Sequence, residues 1–232
     1  MPFSLSKFLQ DYLATILVGP PQFDRYGRVP NMVVYPLFPT SLDPHPSPLV
    51  TLSEAMRRGV DLHDTGLVNR VHVDNPLPAT VLAGESDVLL GPTQLRSLQY
   101  SCLVPPYCRA SLPVNCVEEG QPTEYHARFT QSGACPWYMR SFKMENLARS
   151  GEIPQYEVWK KVKSYLDMAG SVSKTHDLHS VLNENAFEIH SLGEIFPRRP
   201  GQIGTISAVG HDLFVELYSD PEILEDRYDS VL

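Results

Sequence analysis

The sequence predicts an α+β protein. We expect mainly antiparallel strands in a sandwich or a barrel-like sheet, an N-terminal helix, and a helical block at about residues 137–182. The chain contains 21 prolines, which favour turns and edge strands over long helices. The helical patterns are gathered in one block between strand-like segments, instead of alternating with strands as in βαβ folds. At a length of 232 residues, we expect one domain over 1–232 with a helical insertion at about 137–190.

The N-terminal segments alternate between helical and strand-like patterns. Residues 4–18 carry apolar side chains at helical spacing and end at Gly19-Pro20-Pro21, which predicts an amphipathic helix. The β-branched and aromatic segment 31–37 predicts a strand, and the proline-rich segment 38–48, which contains His45, predicts a loop. A short helix is predicted from Ser53 to Arg58, with Ser53 as its N-cap.

Short strands are predicted next, between turn signals. The segments 60–64 and 67–75 alternate apolar and polar residues, and two further strands flank residues 84–87. Residues 132–137 predict a loop. The spacing of these strands is typical of a sandwich or a barrel.

The helical block contains the clearest periodic pattern of the chain. We predict helices at 137–149, at 155–169 and, with Thr175 as a cap, at 176–182. Strand character then returns, and residues 201–219 predict a hairpin that turns at 209–212. A last helical turn is predicted after Asp220-Pro221.

Composition excludes several classes of partner. The net charge of -8 argues against a sequence-independent grip on nucleic-acid phosphates. The first residues lack the basic region of a signal peptide, and no apolar run reaches the roughly 18 residues of a membrane span. We therefore expect a soluble, cytoplasmic protein with no membrane and no nucleic-acid partner, and we leave a homo-oligomer open.

Common catalytic motifs are missing from the sequence. There is no P-loop, no Rossmann fingerprint and no GxSxG element, so no cofactor is expected. His176 and His179 are weak metal candidates, because a spacing of i, i+3 places both rings on one helix face, with Asp177 and His190 as companions. A solvated helix face is the alternative, and we expect no metal site. The cysteines at 102, 108, 116 and 135 match no zinc spacing, so we expect buried, inert thiols.

The segment from Leu89 to Gly120 is where we place the candidate site. It consists of two apolar, strand-like pieces separated by Pro105-Pro106. If these pieces pair as a hairpin, the polar residues at their outer ends share one end of a sheet. Those residues are Gln94, Arg96, Cys116, Glu118 and Glu119.

The chemistry of this cluster suits an anionic ligand. Gln94 and Arg96 lie two residues apart and share a strand face, and together they offer an amide and a bidentate guanidinium. Glu118 can also pair with Arg96, so a functional site and a structural ion pair both remain open. Cys116 is a weaker candidate nucleophile, because the only histidine that follows closely is His126.

These residues belong to a wider pattern, in which the sequence resembles the ARG and Rhodanese-Phosphatase-superfamily-associated Protein domain family of bacteria and their viruses. The matching segments are Val18-Gly19-Pro20-Pro21-Gln22, Tyr35-Pro36-Leu37, Thr51 to Ala55 with Gly59, Asn75, Gly84-Glu85, Gly91 to Arg96, Leu112 to Gly120, and Gly201 to Phe214. Two positions depart from the family pattern: Leu95 stands where a polar residue is frequent, and Gln121-Pro122 stands where Arg-Trp is frequent.

The resemblance implies a link to ADP-ribose, to NAD-derived metabolites and to bacterial or phage conflict systems. On this reading the protein binds or processes a small nucleotide-type ligand. Arg96 holds the phosphates, Gln94 orients the ligand, and Glu118 binds a ribose hydroxyl or acts as a general base. Glu85 and Glu119 are further ligand-binding candidates, and Cys116 is a second catalytic candidate. The alternatives are a non-catalytic sequestering or protein-interaction domain and a metal-dependent hydrolase using His176 and His179.

Overall fold

The computed structural model of the chain describes residues 5–41, 49–85 and 87–232. These residues form seven helices and fifteen strands, and all strand pairs but one among them are antiparallel. One of the sheets is nearly closed and barrel-like. The predicted α+β fold class is therefore confirmed. His45, in the proline-rich segment, lies outside the described residues.

The elements are numbered in chain order. The helices are α1 (Leu5–Leu13), α2 (Leu52–Arg57), α3 (Trp137–Ser150), α4 (Gln155–Ala169), α5 (His179–Glu184), α6 (Ala186–Ile195) and α7 (Pro221–Val231). The strands are β1 (Ile16–Val18), β2 (Gln22–Phe23), β3 (Met32–Pro39), β4 (Leu49–Thr51), β5 (Asp61–Asp64), β6 (Arg70–Asn75), β7 (Thr80–Ala83), β8 (Asp87–Leu90), β9 (Arg96–Leu98), β10 (Cys102–Val104), β11 (Cys108–Cys116), β12 (Arg128–Phe129), β13 (Gln131–Ala134), β14 (Gly204–Val209) and β15 (Asp212–Leu217).

The chain divides into two compact units. The first takes in the described residues up to 41 and those from 187 onward, and the second takes in the described residues from 49 to 186. The single domain over 1–232 stays a prediction. No helix in the described ranges has the length and apolar character needed to cross a membrane.

The first unit contains a sheet in the order β1-β3-β14-β15, with β2 also paired to β3. Its predicted C-terminal hairpin is confirmed: β14 and β15 pair from Gly204↔Leu217 to Val209↔Asp212 and turn at Gly210, whose φ of 61° suits glycine. The last helix is confirmed too, because the Asp220 side chain caps α7 by accepting from the backbone N–H of Glu222 at 2.9 Å.

Two helix predictions in this unit were wrong. The first helix ends at Leu13, not at residue 18, because the β-branched segment Ile16–Val18 gains backbone partners as β1 on the edge of β3. The helix α6 was missed, since strand character was predicted to return after Phe187. No residue of α6 is fully buried, although Leu192 and Ile195 pack against the small apolar cluster that contains Phe196.

The second unit contains a seven-stranded sheet in the order β12-β5-β6-β11-β9-β8-β13 and a three-stranded sheet in the order β10-β7-β4. Strands β5 and β6 alternate buried and accessible residues, as predicted. Their inward side chains, with those of β11 and α2, form an apolar core that includes Leu52, Leu62, Val71, Val73, Leu112 and Val114. The outward side chains of the same strands remain accessible.

The helical block packs on a second apolar cluster of the same unit. Helix α4 follows the predicted bounds and buries Val158, Val162 and Leu166, and Gly170 ends it in a left-handed conformation with φ of 66°. Helix α3 also lies where it was predicted.

Three local predictions in this unit need correction. Helix α2 begins at Leu52 and is capped by Thr51, whose hydroxyl accepts from the N–H of Glu54 at 3.2 Å, so Ser53 is not the cap. The predicted loop at 132–137 is partly a strand, because β13 pairs with β8. Helix α5 begins at His179 and not at residue 176, since His176 adopts a left-handed φ of 52° that a helix excludes.

Candidate functional site

The two halves of the Leu89–Gly120 segment do pair with each other. Strands β9 and β11 are antiparallel, with Arg96 opposite Cys116 and Leu98 opposite Val114. They do not form a simple hairpin across Pro105-Pro106, because the intervening strand β10 pairs with β7 in the other sheet. The pairing still brings the polar ends of β9 and β11 together, as the sequence suggested.

Arg96 lies at the centre of this cluster and is completely buried. One guanidinium nitrogen, Nη1, donates to Oε1 of Gln94 at 2.9 Å, and the other, Nη2, donates to Oδ2 of Asp64 at 3.2 Å. Asp64 also accepts from the hydroxyl of Thr93 at 3.3 Å and from the N–H of Gly66 at 2.9 Å. The ion pair of Arg96 is therefore with Asp64, a residue that sequence reasoning did not single out.

Glu118 joins the cluster through neutral partners. Its Oε2 accepts from the N–H of Leu95 at 3.2 Å, and its Oε1 accepts from the hydroxyl of Thr175 at 2.6 Å. Burial, and after it the charge of Asp177, raises the pKa of Glu118, while these two hydrogen bonds and Arg96 act in the opposite direction. The structure thus gathers Gln94, Arg96 and Glu118 in one buried network.

Cys116 belongs to the same network but is poorly suited to act as a nucleophile. Its side chain is inaccessible, and its thiol donates to the carbonyl of Glu118 at 3.1 Å. Burial raises the pKa of the Cys116 thiol, so the reactive thiolate is disfavoured. The geometry fits an inert, packed thiol.

Glu85 and Glu119 lie elsewhere. The Glu85 carboxylate pairs with Arg140 at 2.7 Å from Nε, and its carbonyl accepts from Lys143 Nζ at 2.6 Å. Glu119 is exposed, and one of its oxygens lies 3.4 Å from Nδ1 of His176. These carboxylates contact α3 and the segment before α5, and neither is hydrogen-bonded to Arg96 in the described part of the chain.

The two metal candidates do not share a helix face. His176 precedes α5 and faces Glu119, whereas His179 is the first residue of that helix. Across residues 5–41, 49–85 and 87–232, no group of three or more histidine, cysteine or acidic side chains is placed to hold a metal ion. Burial lowers the pKa of His179, against the opposing charge of Asp177. The companion His190 lies on α6, 3.9 Å from Asp229.

The accessible face of β5, β6 and β11 carries a feature that sequence reasoning missed. It bounds an open cleft of about 600 Å³, lined by His63, His72, Val73, Asp74, Arg109, Ala110, Ser111 and His126. Strand register places four polar side chains in one row across the sheet, and this row is Ser111, His72, His63 and Arg128. We call this feature the histidine cleft.

The acidic groups at the histidine cleft are already neutralised. Asp74 accepts from Nε of Arg109 at 2.7 Å, and Asp61, one row along, accepts from Arg128 at 2.6 Å. Nδ1 of His63 is buried and, among the described residues, has no hydrogen-bond partner. The hydrogen-bonding groups that remain for a ligand are therefore mainly the accessible imidazole nitrogens and the hydroxyl of Ser111.

The buried network lies on the opposite face of β5 from the histidine cleft. His63 and Asp64 are consecutive in β5, so their side chains face opposite sides of the sheet. The N–H of Asp64 donates to the carbonyl of Ala127 at 2.8 Å, and its carbonyl accepts from the N–H of His126 at 2.9 Å. The contact between Arg96 and Asp64 thereby fixes the backbone that carries His63 and His126. The sequence signal for this arrangement was the segment 60–64, in which apolar and polar residues alternate and which ends in the carboxylate of Asp64.

Comparison with known proteins gives one match. The family model described as ARG and Rhodanese-Phosphatase-superfamily-associated Protein domain matches residues 21–232. No curated protein and no solved structure matches the chain. The matched range includes both the histidine cleft and the buried network behind it.

Proposed function

Because the chain belongs to the ARG and Rhodanese-Phosphatase-superfamily-associated Protein domain family, whose function is unknown, we propose a ligand from its site geometry: a phosphate-bearing, nucleotide-type metabolite related to ADP-ribose or NAD. One observation carries this proposal. The histidine cleft presents Ser111, His72 and His63 in a row across adjacent strands, beside acids that already have arginine partners.

Phosphate is the chemistry that these groups recognise best. Imidazole N–H groups, a hydroxyl and nearby guanidinium groups are donors for phosphate oxygens. The ion pairs of Asp61 and Asp74 remove much of the repulsion that an anion would meet. A volume of about 600 Å³ lies within the range of small-molecule and cofactor sites.

In this proposal the buried residues position the site and do not touch the ligand. Arg96 is fully buried and its two terminal nitrogens are engaged by Gln94 and Asp64, so its contribution is to hold the end of β5 in place. Glu118 holds the backbone of Leu95 and the Thr175 hydroxyl in the same way. From the family resemblance we further propose that the protein acts in a bacterial or phage conflict system.

Calorimetric titration with ADP-ribose, NAD and a cyclic dinucleotide tests the proposed ligand class. We expect heat from at least one of them, and a loss of about tenfold or more in affinity for the double variant His63→Phe/His72→Phe, because two hydrogen bonds to a charged ligand are removed. His190→Phe is the matched control, since His190 is an exposed histidine on α6. No heat from any of the three ligands, or equal affinity in the double variant, contradicts the proposal.

Binding without turnover is favoured because neither catalytic candidate is free to react. Cys116 is buried with a raised pKa, and both carboxylate oxygens of Glu118 accept hydrogen bonds from Leu95 and Thr175. We therefore propose a sequestering or sensing role ahead of a hydrolytic one. Mass spectrometry of the ligand after incubation with the protein separates the two. Intact ligand supports binding alone, whereas a product that accumulates with time establishes an enzyme.

A further inference from the structure

The first unit has a pocket of its own, which the proposed function does not use. Its volume is about 370 Å³. It lies between the segment that begins at β2 and the end of α6, and its polar side chains include Gln22, Arg25, Arg28, Glu194 and Arg199. We call it the arginine pocket.

Gln22 is the most informative residue of the arginine pocket. Its side chain is only 7% exposed, and neither its amide nitrogen nor its amide oxygen has a hydrogen-bond partner within the described residues. Burying an amide without hydrogen-bond partners is unfavourable, so such an arrangement points to a ligand that completes it. An amide offers a donor beside an acceptor, which matches a ligand edge with the reverse pair.

The loop beside Gln22 is held in a defined conformation. Asp24 accepts from the N–H of Tyr26 at 2.9 Å and from the N–H of Val29 at 2.8 Å. The guanidinium of Arg28 lies 3.9 Å from Asp24 and 5.6 Å from the centroid of the Tyr26 ring. The carboxylate of Asp24 is therefore hydrogen-bonded within the loop, and the side chains of the next residues, Arg25 and Tyr26, are exposed.

Two cations of the arginine pocket remain available for an anion. Arg25 and Arg199 are exposed and line the pocket, and within the described residues neither forms an ion pair. With Arg28 included, the arginine pocket is lined by three guanidinium groups and two carboxylates, those of Asp24 and Glu194. Asp24 already accepts hydrogen bonds within its own loop. Guanidinium groups in this number are the usual partners of phosphate.

Two aromatic side chains complete the site. Phe23 is 58% exposed and Tyr26 is 84% exposed, and both line the arginine pocket. Exposed aromatic rings beside arginines form a stacking surface for nucleobases.

From these features we propose that the arginine pocket binds an adenine nucleotide. The amide of Gln22 pairs with the N6 and N7 edge of adenine, which presents a donor beside an acceptor. Tyr26 or Phe23 stacks on the base, and Arg25 and Arg199 bind the phosphate. This is a second site, in a different unit from the histidine cleft, and it does not depend on the function proposed for that cleft.

Calorimetric titration with AMP and with IMP tests this proposal. IMP presents two acceptors where adenine presents a donor and an acceptor, so we expect AMP to bind about tenfold more tightly. Gln22→Leu should abolish that preference and leave the fold intact, because the unpartnered amide atoms make no hydrogen bond that the fold would lose. Arg25→Ala/Arg199→Ala should weaken AMP binding by about tenfold or more, since two charged hydrogen bonds are removed.

Two controls separate the arginine pocket from the histidine cleft. Arg57→Ala removes an exposed arginine of α2 and should leave AMP binding unchanged. The AMP and IMP titrations are also carried out in the variant His63→Phe/His72→Phe, whose cleft has lost both imidazoles, and there the heat reports the arginine pocket and the preference for AMP should persist. The proposal is overturned if AMP gives no heat at millimolar concentration, if AMP and IMP bind equally, or if the arginine variant binds AMP as tightly as the parent chain.

Discussion

Asp64 and Arg96 form an ion pair from which solvent is excluded, with 3.2 Å between Oδ2 and Nη2 and with neither side chain exposed. They lie in β5 and β9, which are separated by two other strands of the sheet. Removing two charges from water costs free energy, and this cost offsets most of the attraction between them. The net gain in stability over an apolar pair is therefore small. A buried charge that has lost its partner is costly, and the pair therefore specifies one arrangement of these strands.

Removing only one partner of this pair should be strongly destabilising. For Asp64→Ala we expect the free energy of unfolding to fall by about 3–5 kcal/mol, whereas the apolar double variant Asp64→Leu/Arg96→Met should lose much less. Urea denaturation of the three proteins measures this. Asp74→Ala, which breaks the exposed pair with Arg109, should change stability by about 0–1 kcal/mol. A loss below about 1 kcal/mol in Asp64→Ala would show that water reaches the pair.

Lys143 should contribute to stability through its three acceptors. The side chain is buried, and Nζ donates to the carbonyls of Glu85 and Leu98 and to the hydroxyl of Ser97, at 2.6, 2.7 and 2.8 Å. Lys143→Met keeps the volume but leaves these acceptors unpaired, so we expect a loss of about 2–3 kcal/mol in denaturant unfolding. Lys160→Met, at an exposed position of α4, should stay within about 0.5 kcal/mol. Similar stability in both variants contradicts the prediction.

His179 should make the stability of the protein depend on pH. Burial lowers its pKa in the folded chain below the ordinary histidine value of 6.5. The neutral form is therefore favoured in the folded state, so its contribution is fully present above 6.5 and is lost as the pH falls through the lowered folded-state pKa. Unfolding free energies measured from pH 8 down to pH 5 should decrease more steeply for the parent chain than for His179→Gln. The exposed His190→Gln should keep the parent slope, and parallel profiles for all three proteins would refute the assignment.

The four cysteines should react in two classes. Cys102 and Cys108 are partly accessible, whereas Cys116 and Cys135 are buried. Iodoacetamide should label the first two in the native protein and the other two only after unfolding, as read by peptide mass spectrometry. Native labelling of Cys116 as fast as that of Cys108 would reveal an accessible thiolate and would restore Cys116 as a candidate nucleophile.

Local patterns account for the parts of this fold that were predicted correctly. The helix α4 and the turn at Gly210 are each contained within about twenty residues, so periodicity and turn chemistry reveal them. The neighbourhood of Gln94, Arg96 and Glu118 was also anticipated, because β9 and β11 come from one segment.

The parts that were missed depend on contacts between distant segments. The partner of Arg96 is 32 residues away in sequence, in a strand that does not neighbour β9 in the sheet. The histidine cleft is formed by the register of β5, β6, β11 and β12, and no local pattern fixes that register. In the sequence, the apolar residues of Ile16–Val18 continue the helical spacing of the segment before them. Only their backbone pairing with β3 shows that they form a strand.

The pairing of β3 with β14 has a consequence for the order in which the chain folds. Strand β14 is synthesised after residues 49–186, so the whole second unit leaves the ribosome before β3 can pair with β14. Until then, β3 presents eight residues with one open edge, which is the kind of surface that chaperones protect from aggregation. Closing so long a loop is slow, so the first unit should be the last part of the chain to reach its native state.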